Sequence, residues 1–256
     1  MSNDRISKIL TVAFALCIVC SVIVSTAAVM LKPAQEANQA LDRKRNILAA
    51  AGMLEDGKSI EEQFAQISAR IVDLRTGKFS DEVDAEGYDQ RAASKDPSLS
   101  DRLSGDEDPA KILRREHFAT VYLAKDAGGD IDKIILPVHG YGLWGQLYGF
   151  IALESDGNTV AGLGFYEHKE TPGLGGEVDN PRWKGLWPGK QVYADGQVAI
   201  EVMKGAVDPT SANAHHQIDG LAGATLTTRG VSNLVQYWLG ENGFEPFLTN
   251  LKTGEA

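Results

Sequence analysis

The chain has 256 residues, and its 35 acidic side chains outnumber the 25 lysines and arginines, which gives a net charge of -10. This balance argues against a nucleic-acid-binding domain, because phosphate contacts need clustered lysine and arginine side chains. Hydrophobic residues make up 43% of the chain, a share typical of a folded globular protein. Two cysteines are too few for a disulfide scaffold or a cysteine-ligated zinc site.

An uncharged stretch near the N-terminus predicts one transmembrane helix. The 23 residues from Ile9 to Leu31 carry no charge and are rich in Leu, Ile, Val and Ala. About 20 such residues in a helix span a hydrocarbon core of about 30 Å. A cleaved signal peptide is the alternative, since Ser25-Thr26-Ala27 resembles a cleavage site, but the stretch exceeds the usual ~7–15 apolar residues. We assign residues 1–34 to a tail and this helix.

The next segment, residues 35–116, is predicted to be helical and to include an acidic excursion. Leucine and isoleucine spacing favours a helix over residues 35–54. A capping-box pattern at Ser59 and Glu62 precedes apolar residues at helical spacing and predicts a second amphipathic helix over residues 59–74. Residues 80–108 contain ten Asp or Glu and three Lys or Arg, and we interpret them as a solvated excursion or a short docking surface.

From residue 117 the pattern changes to strands. Apolar runs predict strands at residues 117–124, 131–138, 146–153 and 159–166. Asp195-Gly196 is a hairpin turn between two further strands, and Trp183 and Trp187 are predicted to pack a loop against the sheet. Tight hairpins indicate an antiparallel sheet. With helices at both ends, the fold class is α+β, and we place one domain at residues 117–256.

A glycine-rich turn matches a nucleotide-binding fingerprint only in its letters. Gly140-Tyr-Gly142-Leu-Trp-Gly145 fits G-x-G-x-x-G, but dinucleotide-binding folds place this pattern between a strand and a helix. Here a predicted strand follows, so we expect no NADH site on this chain. The glycines leave two interpretations open. They either let the backbone approach a flat ligand beside Tyr141 and Trp144, or they form a tight turn with two packed aromatic side chains.

A hydroxyl-rich turn precedes the last long predicted helix. Asp219-Gly-Leu-Ala-Gly-Ala-Thr225 is followed by apolar residues at helical spacing between Val231 and Leu239, and Thr227 or Thr228 is the expected N-cap. The first turn of a helix has free N–H groups and a partial positive charge, which suits a phosphate. Small residues leave room for a bulky group beside the threonine. An ordinary capped helix is the alternative.

The seven residues Asp219–Thr225 resemble the flavinylation motif of FMN-binding domains, in which the last threonine carries FMN through a phosphoester bond. The N-terminal span, the turn at residues 140–145, Glu170-Thr-Pro-Gly-Leu-Gly175 and Tyr237-Trp-Leu239 extend the resemblance. Over nearly its whole length the chain resembles the C subunits of bacterial sodium-translocating NADH:quinone oxidoreductases. Ala222 is a departure, because the family usually has Ser or Thr there.

The resemblance implies an electron-relay subunit with FMN attached covalently to Thr225. The other subunits of such a complex would complete the oxidation of NADH, the reduction of ubiquinone and the translocation of sodium. A separate flavin transferase, using FAD and magnesium, would attach the FMN, and Asp219 would help that recognition or fix the loop. We expect no metal site, and the pair His215-His216 is expected to face solvent. A stand-alone membrane-anchored flavin reductase and a non-redox membrane-anchored scaffold are the alternatives.

The charge pattern and the resemblance disagree about the side of the membrane. Arg5 and Lys8 precede the apolar stretch, whereas Lys32 and residues 43–45 follow it, and this count favours a cytoplasmic domain. The family's transferase works on the periplasmic side. We therefore expect a single-pass protein of the bacterial inner membrane with a periplasmic C-terminal domain.

Two turns are expected to hold the isoalloxazine ring of the FMN. Leu143, Trp144 and Leu174 would give apolar contact, while Thr171 and backbone N–H groups near Gly175 would bond the polar ring edges. Lys204 would offset the phosphate charge, Thr227 would donate to the phosphate, and Glu170 would order a loop rather than act as a base. The expected cofactor-binding set comprises Thr225, Asp219, Gly220, Leu221, Ala222, Gly223, Ala224, Thr227, Gly140, Tyr141, Gly142, Leu143, Trp144, Thr171, Leu174, Gly175 and Lys204.

Overall fold

The computed structural model describes residues 6–256, so Arg5 and the rest of the predicted tail lie outside the described residues. The chain divides into two compact units, one ending at Arg43 and the other comprising Lys44–Ala256. Helix α1 (Ile6–Ala50) contains a stretch long and apolar enough to cross a membrane, and none of that stretch is buried. The single predicted apolar helix is therefore present at the N-terminus.

Helix α1 is longer than the sequence suggested. It continues through Pro33, so the predicted helix at residues 35–54 is its continuation and ends at Ala50 rather than at residue 54. A proline inside a helix removes one hydrogen bond, but the residues that follow are rich in Ala, Gln, Leu and Arg, which are strong helix formers and sustain the helix. The boundaries predicted after residues 34 and 116 stay predictions.

An antiparallel sheet is the centre of the larger unit. The strands in chain order are β1 (Ile67–Asp73), β2 (Lys78–Phe79), β3 (Ser100–Arg102), β4 (Arg114–Glu116), β5 (Phe118–Lys125), β6 (Ile131–Tyr141), β7 (Gln146–Glu154) and β8 (Val160–Glu167). Six of them form one sheet in the order β2-β1-β5-β6-β7-β8, with every pairing antiparallel, and β3 pairs with β4 separately. The four strands predicted after residue 117 correspond to β5–β8, and the α+β class is confirmed.

Both faces of the sheet are covered, because side chains alternate between them along each strand. On one face, Ile135 packs with Ile47 and Leu48 from the last turns of α1. On the other face, Ile134 and Leu136 belong to the main core with α5 (Thr225–Leu239) and α6 (Glu245–Thr253). The buried stripe of α5 follows the predicted helical spacing and comprises Val231, Leu234, Val235, Trp238 and Leu239.

The amphipathic helix predicted over residues 59–74 is wrong beyond its first turn. Helix α2 (Ile60–Phe64) begins after Ser59, whose side chain accepts a hydrogen bond from the Glu62 amide, as the capping box predicts. The chain then forms β1, in which Ile71 and Val72 are buried. These β-branched residues favour strands, and pairing with β5 along the whole of β1 outweighs the helical spacing.

The acidic segment at residues 80–108, interpreted from the sequence as a solvated excursion or a short docking surface, is in part folded against the sheet. Helix α3 (Gln90–Ala93) buries Gln90, whose Nε2 donates to the buried Glu116 carboxylate at 2.5 Å. The Tyr88 hydroxyl donates to the Phe118 carbonyl at 2.9 Å. Buried hydrogen bonds of this kind order the backbone, while most of the acidic side chains remain exposed. A docking role for the segment stays a prediction.

Short elements connect β8 to α5. They are a 3-10 helix (Gly175–Asp179), α4 (Pro181–Lys184), the hairpin β9 (Tyr193–Ala194) and β10 (Gln197–Val198), β11 (Glu201–Val202), a second 3-10 helix (Ala214–His216) and β12 (Gln217–Ile218). The hairpin turns at Asp195-Gly196, as predicted, and β11 pairs with β12 in parallel. Trp183 and Trp187 are both buried, with their rings edge to face at 5.5 Å. The loop at residues 219–224 follows β12 directly.

Candidate functional site

The loop at residues 219–224 is held by two other parts of the chain, residues 205–207 and Trp183. The Gly220 amide donates to the Gly205 carbonyl at 2.8 Å, and Asp219 Oδ1 accepts from the Val207 amide at 2.7 Å. Nε1 of Trp183 donates to the Asp219 carbonyl at 2.8 Å. The Asp219 side chain thus fixes the loop, which is one of the two roles considered for it, and its part in recognition stays a prediction.

The two glycines of this loop are required for different structural reasons. Gly223 has φ +73°, in the left-handed region that favours glycine. A Cβ at Gly220 would overlap the Met203 carbonyl oxygen. Ala222 is exposed, so this departure from the family pattern alters no buried contact.

Thr225 lies exposed at the first position of α5. Ala224 is the N-cap residue, and no side chain of the described residues caps the helix. Within residues 6–256 the Thr225 hydroxyl has no hydrogen-bond partner, and the amides of Thr225, Leu226 and Thr227 have no acceptor. These amides and the helix dipole concentrate partial positive charge beside the hydroxyl. The site therefore combines a free hydroxyl with donors suited to a phosphate.

The prediction of Thr227 or Thr228 as the N-cap is wrong. The Thr228 amide already donates to the Ala224 carbonyl at 2.9 Å, so the helix begins three residues before Thr228. Both threonines are buried. Oγ1 of Thr228 accepts from the Leu221 amide at 3.0 Å, and Oγ1 of Thr227 donates to Glu170. Their hydroxyls stabilise the loop and a neighbouring turn instead of capping the helix.

The glycine-rich turn links β6 to β7, and no helix follows it, so the dinucleotide-binding arrangement is absent there as predicted. A Cβ at Gly140 would lie 2.5 Å from Cβ of Leu234 on α5. Conversely, a Cβ at Gly230 on α5 would lie 2.9 Å from Cα of Gly142. The close approach that these glycines permit is therefore an approach to α5, which places the turn against the helix that carries Thr225.

Glu170 connects both turns with the start of α5. Its side chain is buried, and Oε1 accepts from the amides of Leu143 and Trp144 at 2.9 and 3.0 Å. Oε2 accepts from Oγ1 of Thr227 at 2.5 Å. A Cβ at Gly175 would collide with the same carboxylate. Glu170 is a loop-ordering group in this structure.

Large apolar side chains are exposed near the start of α5. Trp144 is 63% exposed, Leu174 45% and Leu226 53%, and Tyr141 and Leu143 are exposed to a smaller extent. A Cβ at Gly223 would lie 3.1 Å from a Cδ of Leu174, so Leu174 lies over the loop before Thr225. Exposed apolar clusters mark binding surfaces. Leu226 was not predicted as a site residue. The sequence did contain a signal, because this leucine follows Thr225 directly and does not lie on the apolar face of the predicted helix.

The remaining predicted residues, Thr171 and Lys204, are both exposed. Thr171 is exposed, and its carbonyl accepts from the amides of Leu174 and Gly176 at 3.1 and 2.9 Å, which closes the second turn. Lys204 is exposed and adjoins Gly205, whose carbonyl receives the Gly220 amide. Lys204 forms no ion pair with any described residue. It is thus a free cation beside the loop.

Two of the histidines in the described part of the chain make internal contacts. The His139 ring stacks on Tyr148 at 5.5 Å and tilts against Trp238 at 4.9 Å, and burial lowers its pKa to about 4. The prediction of a solvent-facing pair fails for His216, which is buried with Nδ1 2.8 Å from the Gln191 carbonyl oxygen. Among residues 6–256, no three His, Cys, Asp or Glu side chains are grouped to hold a metal ion.

Comparison with known proteins agrees with this geometry. The FMN-binding domain family matches residues 142–240, which include residues 142–145 of the glycine-rich turn, Glu170 and Thr225. The chain is 56% identical over 260 residues to the C subunit of the Na(+)-translocating NADH-quinone reductase of Pseudomonas aeruginosa, covering 100% of this chain and 99% of that protein. It is 50% identical over 255 residues to the corresponding protein of Vibrio anguillarum, covering 99% and 98%.

Solved structures give the same result. The crystal structure of NqrC from Shewanella oneidensis matches with a TM-score of 0.75 and 36% identity, covering 82% of this chain and 96% of that one. The C subunit of the Na(+)-translocating NADH-quinone reductase from Parabacteroides distasonis matches with a TM-score of 0.66 and 28% identity, covering 86% and 97%.

Proposed function

Because the chain belongs to the family of Na(+)-translocating NADH-quinone reductase C subunits and has an FMN-binding domain, we propose that it carries FMN as a phosphoester on Thr225 and relays electrons within such a complex. One observation carries the attachment site. Among residues 6–256, Thr225 presents an exposed hydroxyl without a partner at the start of a 15-residue helix, beside amides that have no acceptor. A phosphate esterified there receives hydrogen bonds from the helix terminus.

The surroundings of Thr225 fit the other parts of FMN. Exposed Leu143, Trp144, Leu174 and Leu226 offer apolar surface to a flat ring. Lys204 is exposed, adjoins Gly205 of the same loop contact and forms no ion pair with a described residue, so its ammonium would be available to offset phosphate charge. FMN supplies one-electron and two-electron chemistry when bound, and these residues position it and set its electrostatic environment.

The proposed attachment needs a separate enzyme. A flavin transferase of the kind the resemblance implies, with FAD and magnesium, would transfer FMN to the Thr225 oxygen, with release of AMP. The loop that it would act on is held in one shape by Asp219, Trp183 and Gly205. Exposed Ala222 and Gly223 leave space next to the hydroxyl.

We also propose that α1 anchors the chain in the bacterial inner membrane, with the domain in the periplasm. The apolar stretch of α1 supports the anchor, since its exposed leucine, isoleucine and valine side chains suit lipid. The periplasmic side is proposed because the flavin transferase implied by the resemblance works there. Protease added to intact spheroplasts is then expected to cut at exposed Lys95 or Arg102, and full protection would reverse the orientation.

The proposed partners are the other subunits of the complex, since the relatives are named as C subunits of a reductase. An NADH site is not expected on this chain, because the glycine-rich turn links two antiparallel strands. A stand-alone flavin reductase would oxidise NADH by itself with an added acceptor. A non-redox scaffold would carry no flavin at all. Purified full-length protein distinguishes these alternatives.

The decisive experiment is the intact mass of the full-length chain produced together with a flavin transferase. We expect the mass to increase by one FMN less one water. T225A is expected to lose this increase and the yellow colour, whereas T225S keeps a hydroxyl and is expected to retain part of both. Wild-type protein of unmodified mass would refute the attachment, and a T225A protein of increased mass would place it on another residue.

A further inference from the structure

We propose that Glu170 is a positioning residue of the flavin site, whose carboxylate locks the turn at residues 140–145 to the first turn of α5. This inference rests on the proposed function, because the locked turn carries the expected ring contacts Leu143 and Trp144 while α5 carries Thr225. A role confined to its own turn would involve contacts within residues 170–175 only. The contacts instead join three elements that are distant in sequence.

The geometry of the carboxylate matches such a lock. Glu170 is 5% exposed, and its side chain receives three hydrogen bonds, two from the Leu143 and Trp144 amides and one from the Thr227 hydroxyl. Its own amide donates to Nδ1 of His168 at 3.2 Å, which fixes the backbone. No Lys or Arg among residues 6–256 forms an ion pair with it.

A buried carboxylate without a cationic partner is costly unless its oxygens are hydrogen-bonded. Here the hydrogen bonds come from the Leu143 and Trp144 amides and the Thr227 hydroxyl. The same bonds therefore stabilise the buried carboxylate and hold the turn against α5. Hydrogen bonds to a charged acceptor are about twice as strong as neutral ones. The two amides converge on one oxygen and the hydroxyl on the other.

The lock also assigns a different role to Thr227 from the one expected from sequence. Thr227 is fully buried, and its hydroxyl is committed to Oε2 of Glu170. Phosphate binding is therefore left to the exposed amides at the start of α5. Thr227 transmits the position of α5 to the turn, although it touches neither Leu143 nor Trp144 through a hydrogen bond.

The test compares substitutions along this chain of contacts in the full-length protein. E170A removes all three acceptor contacts, and T227V removes only the donor on α5 while keeping the side-chain volume. E170Q retains one acceptor oxygen for the two amides, and T227S retains the hydroxyl. E177Q is the matched control, because Glu177 lies in the next turn of the same segment and its side chain bonds only Asn180 among residues 6–256.

The first readout is hydrogen exchange at the amides of Leu143 and Trp144. We expect exchange about tenfold faster or more in E170A and T227V, the size expected for losing bonds to a charged group, with rescue in T227S and a smaller effect in E170Q. The second readout is fluorescence anisotropy of the bound FMN. We expect it to fall in E170A and T227V and to match wild type in T227S and E177Q.

Two outcomes would overturn the proposal. Exchange in E170A and T227V within twofold of E177Q would show that the carboxylate does not hold the turn. Equal acceleration of the β6 and β7 amides would show a general loss of structure instead of a local lock, and T227V keeps this comparison available if E170A fails to fold. Repeating the exchange experiment in T225A, which cannot take FMN at that residue, separates failure of the lock from failure of the proposed attachment.

Discussion

Replacing Gly230 with alanine tests the packing that places the glycine-rich turn against α5. A helical Gly→Ala substitution ordinarily stabilises a protein by about 0.5–1 kcal/mol, because alanine loses less conformational freedom on folding. At Gly230, however, the new Cβ would overlap the Tyr141 carbonyl oxygen and would lie 2.9 Å from Cα of Gly142. Both neighbours are backbone atoms of the turn, so neither can yield by changing a rotamer.

The two effects have opposite signs, and the structure indicates which is larger. Overpacking a close contact costs about 1–3 kcal/mol, and a collision with backbone belongs at the upper end. After subtracting the helical gain, we expect G230A to destabilise the protein by about 2 kcal/mol. For a chain of this size, that corresponds to a fall in melting temperature of about 4–8 °C.

The assay is thermal unfolding of the full-length protein in detergent, followed by tryptophan fluorescence. G105A is the matched control, since a Cβ at Gly105 meets no atom within 4 Å and its φ is not in the left-handed region. It is expected to melt within about 2 °C of wild type. A G230A protein as stable as wild type, or more stable, would refute the close packing of the turn against α5.

Two further predictions concern pH and have opposite signs. Burial raises the pKa of Glu116 to about 7, so the folded state binds its proton more tightly and stability falls as pH rises from about 4.5 to about 7. E116Q is expected to exceed wild type by up to about 3 kcal/mol in denaturant unfolding at pH 8, with the difference vanishing near pH 4. Burial lowers the pKa of His139 to about 4 from 6.5, so the folded state favours the neutral imidazole. The resulting contribution to the free energy of unfolding is complete above pH 6.5 and is lost as pH falls towards 4. H139F keeps a ring against Tyr148 and is expected to remove that loss, and a variant that keeps the wild-type pH profile would contradict the assignment for its residue.

The central strands were predictable because their signals are local. Strands β5 to β8 have compact apolar runs separated by turn residues, and the hairpin at Asp195-Gly196 has positive φ at both residues, as that dipeptide favours. Strand β1 was not predictable in the same way. Its spacing of Ile67 and Ile71 fits a helix equally well, and the pairing that decides the outcome joins Ile67 to Ala124, far along the chain.

The same contrast between local and long-range signals applies to the site. The loop before Thr225 and both glycine turns are visible in the sequence, because each is a short continuous motif. The bonds of Glu170 join it to Leu143 across 27 positions and to Thr227 across 57, and no local pattern reports such contacts. The N-cap was misplaced for a related reason. Threonine at positions 227 and 228 suits a cap by propensity, but both side chains are taken by partners outside the helix.

The contacts that shape the loop before Thr225 have a consequence for biogenesis. The loop depends on Trp183 and on residues 205–207, and Thr228 closes it from the other side. A short synthetic peptide of these seven residues has none of those partners. Under the proposed attachment, an enzyme selecting the loop by shape meets a suitable substrate only once the C-terminal third of the chain has folded. Covalently bound FMN would then be present only on folded copies of the chain, and misfolded copies would stay colourless.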